Sequence, residues 1–220
     1  VKTIKPKVIF FDTSDTLYHS PSLEEALKKA PMHFLAEREQ VTEKEAKKVI
    51  EKAKKELENK GVVATKCEII RYLGFSNRDL QNYMSLIDTN RYLKKNEEDI
   101  VAVEELSKSY CLGIITNINR RLFFKVIASL GMGKSLFKCI VTSDDVVNPK
   151  PHIEPFVLAS NLIGQPPESC YYVGDNIEKD LVPAHKVGFG TILLSQKRVE
   201  KENSFYLRVT NIREINYLFE

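Results

Sequence analysis

Short, nearly unbroken apolar runs recur along the chain at 7–11 (KVIFF), 111–116 (CLGIIT), 137–142 (FKCIVT), 170–174 (CYYVG) and 191–194 (TILL). They do not alternate between apolar and polar positions, so they predict strands covered on both faces, as in a parallel sheet. Between them, 97–109 (EEDIVAVEELSKS), 120–131 (RRLFFKVIASLG), 153–163 (IEPFVLASNLI) and 179–187 (KDLVPAHKV) read as helices, and 211–219 (NIREINYLF) as a closing helix. From about residue 97 onward, strand and helix alternate. That order predicts βαβ units and a parallel sheet with helices on its faces.

Residues 18–90 follow a different pattern. They hold no convincing strand run but several helix starts. Ser22-x-x-Glu25, Thr42-x-x-Glu45 and Ser76-x-x-Asp79 each resemble a capping box, in which a side-chain oxygen satisfies a free amide of the first turn. After Thr42, apolar residues at Ala46, Val49, Ile50, Ala53 and Leu57 form a helical stripe, and Gly61 supplies a stop. The expectation is an α/β chain with a Rossmann-like three-layer parallel-sheet core from 1–17 and 91–220. An α-helical module at 18–90 interrupts it after the first strand. An insertion at a strand's end is where a lid over a site would be placed, although a helical layer that only adds stability would show the same pattern.

Composition narrows the function classes. The chain of 220 residues is 43% hydrophobic and 29% charged, enough apolar content for a sizeable core. With 33 basic and 30 acidic residues the formal charge is only +3, which argues against nucleic acid or a membrane surface as the main partner. No apolar stretch approaches eighteen residues, so neither a membrane-spanning helix nor a secretory signal is expected. Cys67, Cys111, Cys139 and Cys170 are widely separated, without C-x-x-C spacing, and read as free thiols in a reducing cytoplasm. Nothing in the sequence sets an oligomeric state.

The chemistry gathers where the apolar runs stop. In an open parallel sheet, ligands bind beyond the carboxyl ends of the strands. Asp12 follows VIFF, Thr116-Asn117 follow LGII, Ser143-Asp144-Asp145 follow CIVT, and Asp175 follows YYVG. Lys150 comes six residues after Asp144, and Asp180 five after Asp175. Each alone has a bland reading, as a helix cap, a structural hydroxyl or a solvated lysine. Together at one edge they suit chemistry on a phosphoryl group. Paired carboxylates would hold a divalent cation such as Mg²⁺, and a lysine and a hydroxyl would meet the phosphoryl oxygens. An Asp could then act as a covalent nucleophile.

These residues resemble the motifs of the haloacid dehalogenase-like hydrolase superfamily. FFDTSDTL is similar to its first motif, D-x-D-G-T-L; IITN to the second; TSDDVVNPKP to the third; and VGDNIEKD to the fourth, G-D-x-x-x-x-D. The helical insertion resembles the family's cap. The resemblance implies that Asp12 is the nucleophile and that Mg²⁺ is bound by Asp12, Asp175 and the backbone carbonyl of Ser14, supported by Asp180. It also implies that Thr116 and Lys150 hold the transferred group, with Asn117 and Asn176 flanking the pocket. The substrate implied is a small phosphorylated metabolite.

One position departs from the pattern. Where most phosphatases of the family carry an acid two residues after the nucleophile, this chain has Ser14, followed by Asp15 in place of the usual Gly. A serine hydroxyl titrates far from neutrality, and losing a general acid slows a reaction by about 10²–10⁴-fold. Three readings follow. The chain is a phosphatase that is slow, favours good leaving groups or recruits Asp15 or His19 as donor. Or it is a 2-haloacid dehalogenase, which needs neither proton nor metal. Or it is a non-catalytic phosphate-binding module. The first is favoured, because VGDNIEKD keeps the acids that dehalogenases usually replace. Tyr18 and His19 are expected near the site entrance, and His33, His152 and His185 are expected to be structural.

Overall fold

The computed structural model describes residues 5–196 and 205–219. Strand β1 (Val8–Phe11) opens the chain, followed by helices α1 (Pro21–Glu39), α2 (Glu43–Asn59), α3 (Lys66–Tyr72) and α4 (Asn77–Met84). The α/β alternation then runs α5 (Glu97–Ser109), β2 (Cys111–Ile115), α6 (Arg120–Ser129), β3 (Phe137–Val141), α7 (Glu154–Ile163) and β4 (Cys170–Gly174). A π-turn (Ile177–Leu181) leads into α8 (Val182–Val187), β5 (Gly190–Leu194), β6 (Tyr206–Val209) and a 3₁₀ helix, Ile212–Tyr217. Pro21–Tyr92 forms one compact unit, and the described residues up to Ser20 and from Leu93 form the other.

The second unit is a six-stranded sheet in the order β3-β2-β1-β4-β5-β6, with every pairing parallel. Its centre is β1, whose four residues are all buried, as a strand covered on both faces requires. The chain moves from β1 outward through β2 to β3, then returns to the other side of β1 with β4. The direction of winding therefore reverses at β1, which puts the crevice of a doubly wound sheet at its carboxyl end. Phe10, Phe156, Tyr172 and Phe189 pack below that edge, with Phe156 edge-on to Tyr172 at 5.0 Å between centroids.

Local structure departs from the sequence-based expectation in four places. Strand β6 was not predicted; it is a short edge strand whose YLRV carries a charge and too little alternation to stand out. The closing helix forms where expected but is a 3₁₀ helix, Ile212–Tyr217. The helix expected at 179–187 begins earlier, as a π-turn in which the amides of Asp180 and Leu181 both donate to Asn176 O. Pro183, with no amide hydrogen of its own, leaves the preceding turn short of a donor and eases that widening.

The fourth difference lies in the helical unit. Helix α1 starts at Pro21, so Ser22 lies inside its first turn and is not the cap. Thr42 does form the full capping box with Glu45, and Ser76 Oγ accepts from the Asp79 amide at 3.1 Å. Thr65 caps α3 in the same way, a start missing from the sequence-based reading. Along α2, Ala46, Ala53 and Leu57 are buried, whereas Val49 is exposed. Ala53 and Leu57 pack with Ile69 in a small apolar core, and Phe34 meets Phe75 and Tyr83 edge-on in another.

Candidate active site

The carboxyl edge of the sheet brings together side chains from four chain segments. Asp12 continues β1, its amide donating to Val173 O at 2.9 Å, and Thr116 continues β2, its amide donating to Val141 O at 2.9 Å. Both side chains are buried. The hydroxyls of Thr13 and Thr116 lie 2.7 Å apart and tie the first loop to the second.

Lys150 is the centre of the cluster. Its Nζ lies 2.8 Å from Asp12 Oδ1 and 2.6 Å from Asp180 Oδ1, and the side chains of Lys150 and Asp180 have no exposed surface. Its third partner is the Tyr172 hydroxyl at 2.6 Å. An ammonium has three N–H donors, and these three oxygens engage all of them. The lysine backbone is held as well. Asn117 Nδ2 donates to Lys150 O at 2.8 Å, and the Lys150 amide donates to Asn117 Oδ1 at 3.0 Å. Asn117 thus clamps the loop that carries Lys150.

One carboxylate oxygen from each of Asp12, Asp175 and Asp180 lies within 4.8 Å of the other two. Three carboxylates against one ammonium leave two negative charges in excess. Asp180 Oδ2 is buried with no hydrogen-bond partner, a condition that costs a carboxylate dearly in a protein interior. A hard divalent cation satisfies both the excess charge and the orphaned oxygen, and an all-oxygen donor set suits it. Among the described residues no other group of acids, histidines or cysteines has this arrangement.

The same crowding sets the protonation. Burial, then the neighbouring charges of Asp180, Asp12 and Asp15, pushes Asp175 up to about 6. Burial raises Asp180 too, against the pull of Lys150. For Lys150 burial works against the charge, yet Asp12 and Asp180 prevail and hold the ammonium above its ordinary value. Burial also places the Tyr172 phenol well above its usual range.

Two residues to which the sequence analysis gave no role of their own make this geometry possible. A Cβ on Gly174 would sit 2.8 Å from Asp180 Cβ, so only glycine lets the acid fold back over the end of β4. Tyr172 looked like one more apolar residue of a core strand; the one available signal was that a buried tyrosine hydroxyl needs a polar partner.

The remaining expected residues have partners of their own. Ser14 bridges to Tyr18 along the backbone, and its Oγ lies 2.8 Å from the Tyr18 hydroxyl. Asp15 adopts a left-handed φ of 57°, which explains why glycine is usual there. Its carboxylate pairs with His19 Nδ1 at 2.5 Å in an exposed contact. Asp144 and Asp145 are structural: Asp144 accepts from the Arg120 amide, while Asp145 accepts from Thr142 and the Arg120 guanidinium. Asn176 caps the π-turn through the Lys179 amide. His152 Nδ1 accepts from the Glu154 amide, and His185 packs on Phe205. All four cysteines are free, and burial pushes Cys139 up to about 11 and Cys170 up to about 12, which leaves them unreactive. No described helix is long and apolar enough to cross a membrane.

Comparison with known proteins adds an independent line. The family model described as haloacid dehalogenase-like hydrolase matches residues 9–194. Glyceraldehyde 3-phosphate phosphatase of Methanothermobacter thermautotrophicus is 27% identical, over 97% of this chain and 98% of that protein. Among solved structures, a HAD phosphatase from Thermococcus onnurineus superposes with a TM-score of 0.68 at 18% identity, over 98% of this chain and 97% of that one. A 2-haloacid dehalogenase from Pseudomonas syringae gives 0.65 at 19% identity, over 96% and 97%. At such identities the structural likeness establishes the fold alone.

Proposed function

The chain belongs to the haloacid dehalogenase-like hydrolases, and from that premise we propose that it is a Mg²⁺-dependent phosphatase of small phosphorylated molecules. The observation that carries the reading is the cluster of Asp12, Asp175 and Asp180, with Lys150 paired to Asp12 and Asp180. Asp12 attacks phosphorus, the bond to the leaving oxygen breaks, and an acyl-phosphate forms on the carboxylate. Water then attacks phosphorus, releasing phosphate and restoring Asp12. Thr116 donates a hydrogen bond to the transferred group, and Lys150 offsets the charge gathered beside Asp12. A divalent cation held by Asp12, Asp175, Asp180 and the backbone carbonyl of Ser14 would neutralise substrate charge. Ser14, in the position of the family's acid, supplies no strong proton donor, so good leaving groups are favoured. In this reading the inserted helical unit is the family's cap.

The name of the full-length relative from Methanothermobacter supports phosphatase activity. The dehalogenase reading accounts less well for the acids, since displacement of halide needs no cation and three carboxylates would repel an anionic haloacid. Incubation with p-nitrophenyl phosphate and with a 2-haloacid, each with and without Mg²⁺, separates the two. Phosphate release that depends on Mg²⁺ is expected. Halide release without the metal, and no turnover of any phosphoester, would overturn the proposal.

A further inference from the structure

Tyr172 sits in the cluster without a place in the scheme above. Its ring belongs to the core, edge-on to Phe156, and the residue is fully buried. Its hydroxyl oxygen is 2.6 Å from Lys150 Nζ, 3.1 Å from Ile115 O and 3.3 Å from Asp180 Oδ1. The lysine ammonium has three donors and no acceptor, so the phenol oxygen accepts from Lys150 and donates its own single proton elsewhere. The shorter outgoing contact is to Ile115 O, the carbonyl just before Thr116. The hydroxyl therefore links the end of β2 to the ammonium between Asp12 and Asp180.

From this geometry we infer that Tyr172 is a positioning residue, which holds the Lys150 ammonium between Asp12 and Asp180 through its hydroxyl. The inference rests on the proposed hydrolase site. Of the three oxygens around Nζ, the two carboxylates carry charge and attract the ammonium from different directions. The phenol oxygen is the neutral third point, and it is fixed by a rigid ring in a packed core. Without it, a buried N–H loses its acceptor and the ammonium relaxes toward whichever carboxylate offers the better geometry. Lys150 would still be charged and still buried, but no longer held at one distance from the nucleophile.

The test is Tyr172→Phe, which keeps the ring and its packing against Phe156 and removes only the hydroxyl. With p-nitrophenyl phosphate and saturating Mg²⁺, kcat should fall by roughly tenfold, on the order expected for one lost buried hydrogen bond, while KM changes less than about twofold. The pathway through Lys150 is tested separately by a double-mutant cycle in thermal stability on the metal-free protein, with Lys150→Met as the second change. Removing the hydroxyl should lower Tm clearly more in the wild-type background than once the ammonium is gone, where only its bond to Ile115 O remains to be lost. An unchanged kcat in Tyr172→Phe, or additive losses in the cycle, would overturn the inference. Because the cycle needs no turnover, coupling without phosphatase activity would refute the proposed function and leave the lysine–tyrosine link standing.

Discussion

Ser14 is the residue on which the rate should turn. Its hydroxyl meets the Tyr18 hydroxyl, and neither group titrates near neutrality in its ordinary state. The acid next along the chain, Asp15, has a left-handed backbone and is held in an exposed pair with His19. Ser14→Asp should therefore raise kcat by at least about tenfold on an alkyl phosphate, the gain expected from a restored general acid, with far less effect on p-nitrophenyl phosphate. Equal rates on the alkyl substrate would show that no acid is missing. A second prediction follows from Asp175, whose value of about 6 lies above that of the unfolded chain. A group raised in this way favours the folded state below the unfolded pKa, and that contribution is lost as pH rises through 6. The metal needs the ionised form, so Mg²⁺ binding displaces a proton there. The Tm increase produced by Mg²⁺ should be full at pH 7.5 and shrink steadily below about pH 6; calorimetric scans across that range check it.

The elements deliver these residues through a few local devices. Strands β1 and β4 end in register, and Gly174 lets the π-turn bring Asp180 back over the strand end. Gly174→Ala places a methyl within 2.8 Å of Asp180 Cβ and should cost about 1–3 kcal/mol, the usual range for overpacking. It should also abolish the Mg²⁺-induced Tm shift, whereas retention of that shift would mean that Asp180 does not help hold the metal. In the helical unit, the Thr42 capping box fixes the start of α2. Thr42→Ala should lower stability by about 1 kcal/mol without altering Mg²⁺ binding to the metal-free protein, as measured by denaturant titration and calorimetry. Strong local signals were legible in the sequence, and α5 runs from Glu97 to Ser109 as its pattern predicts. The π-turn was not, because a single widened turn carries no periodicity of its own.

At the scale of the whole molecule, the sequence disclosed the parallel sheet and the set of strand-end polar residues, because buried strands and a doubly wound topology leave a coarse, repeated pattern. The pattern located Asp12, Thr116, Lys150, Asp175 and Asp180, and the structure brings Lys150 and the three acids into one cluster, with Asp175 half-buried and the others buried. What stayed hidden were contacts between segments distant along the chain. The pairing of Asn117 with the Lys150 backbone spans 33 positions, and the Thr13–Thr116 hydroxyl contact spans 103. Tyr172 was hidden for a similar reason, since its polar end acts within an otherwise apolar strand. In the proposed function Asp12 accepts a phosphoryl group, and that claim can be measured directly. The protein should be quenched with borohydride during turnover of p-nitrophenyl phosphate with Mg²⁺ and mapped by peptide mass spectrometry. An acyl-phosphate is reduced to a primary alcohol, so the account predicts that conversion at Asp12 and its absence in Asp12→Asn. Phosphate release with Asp12 unmodified, or release undiminished in Asp12→Asn, would contradict it.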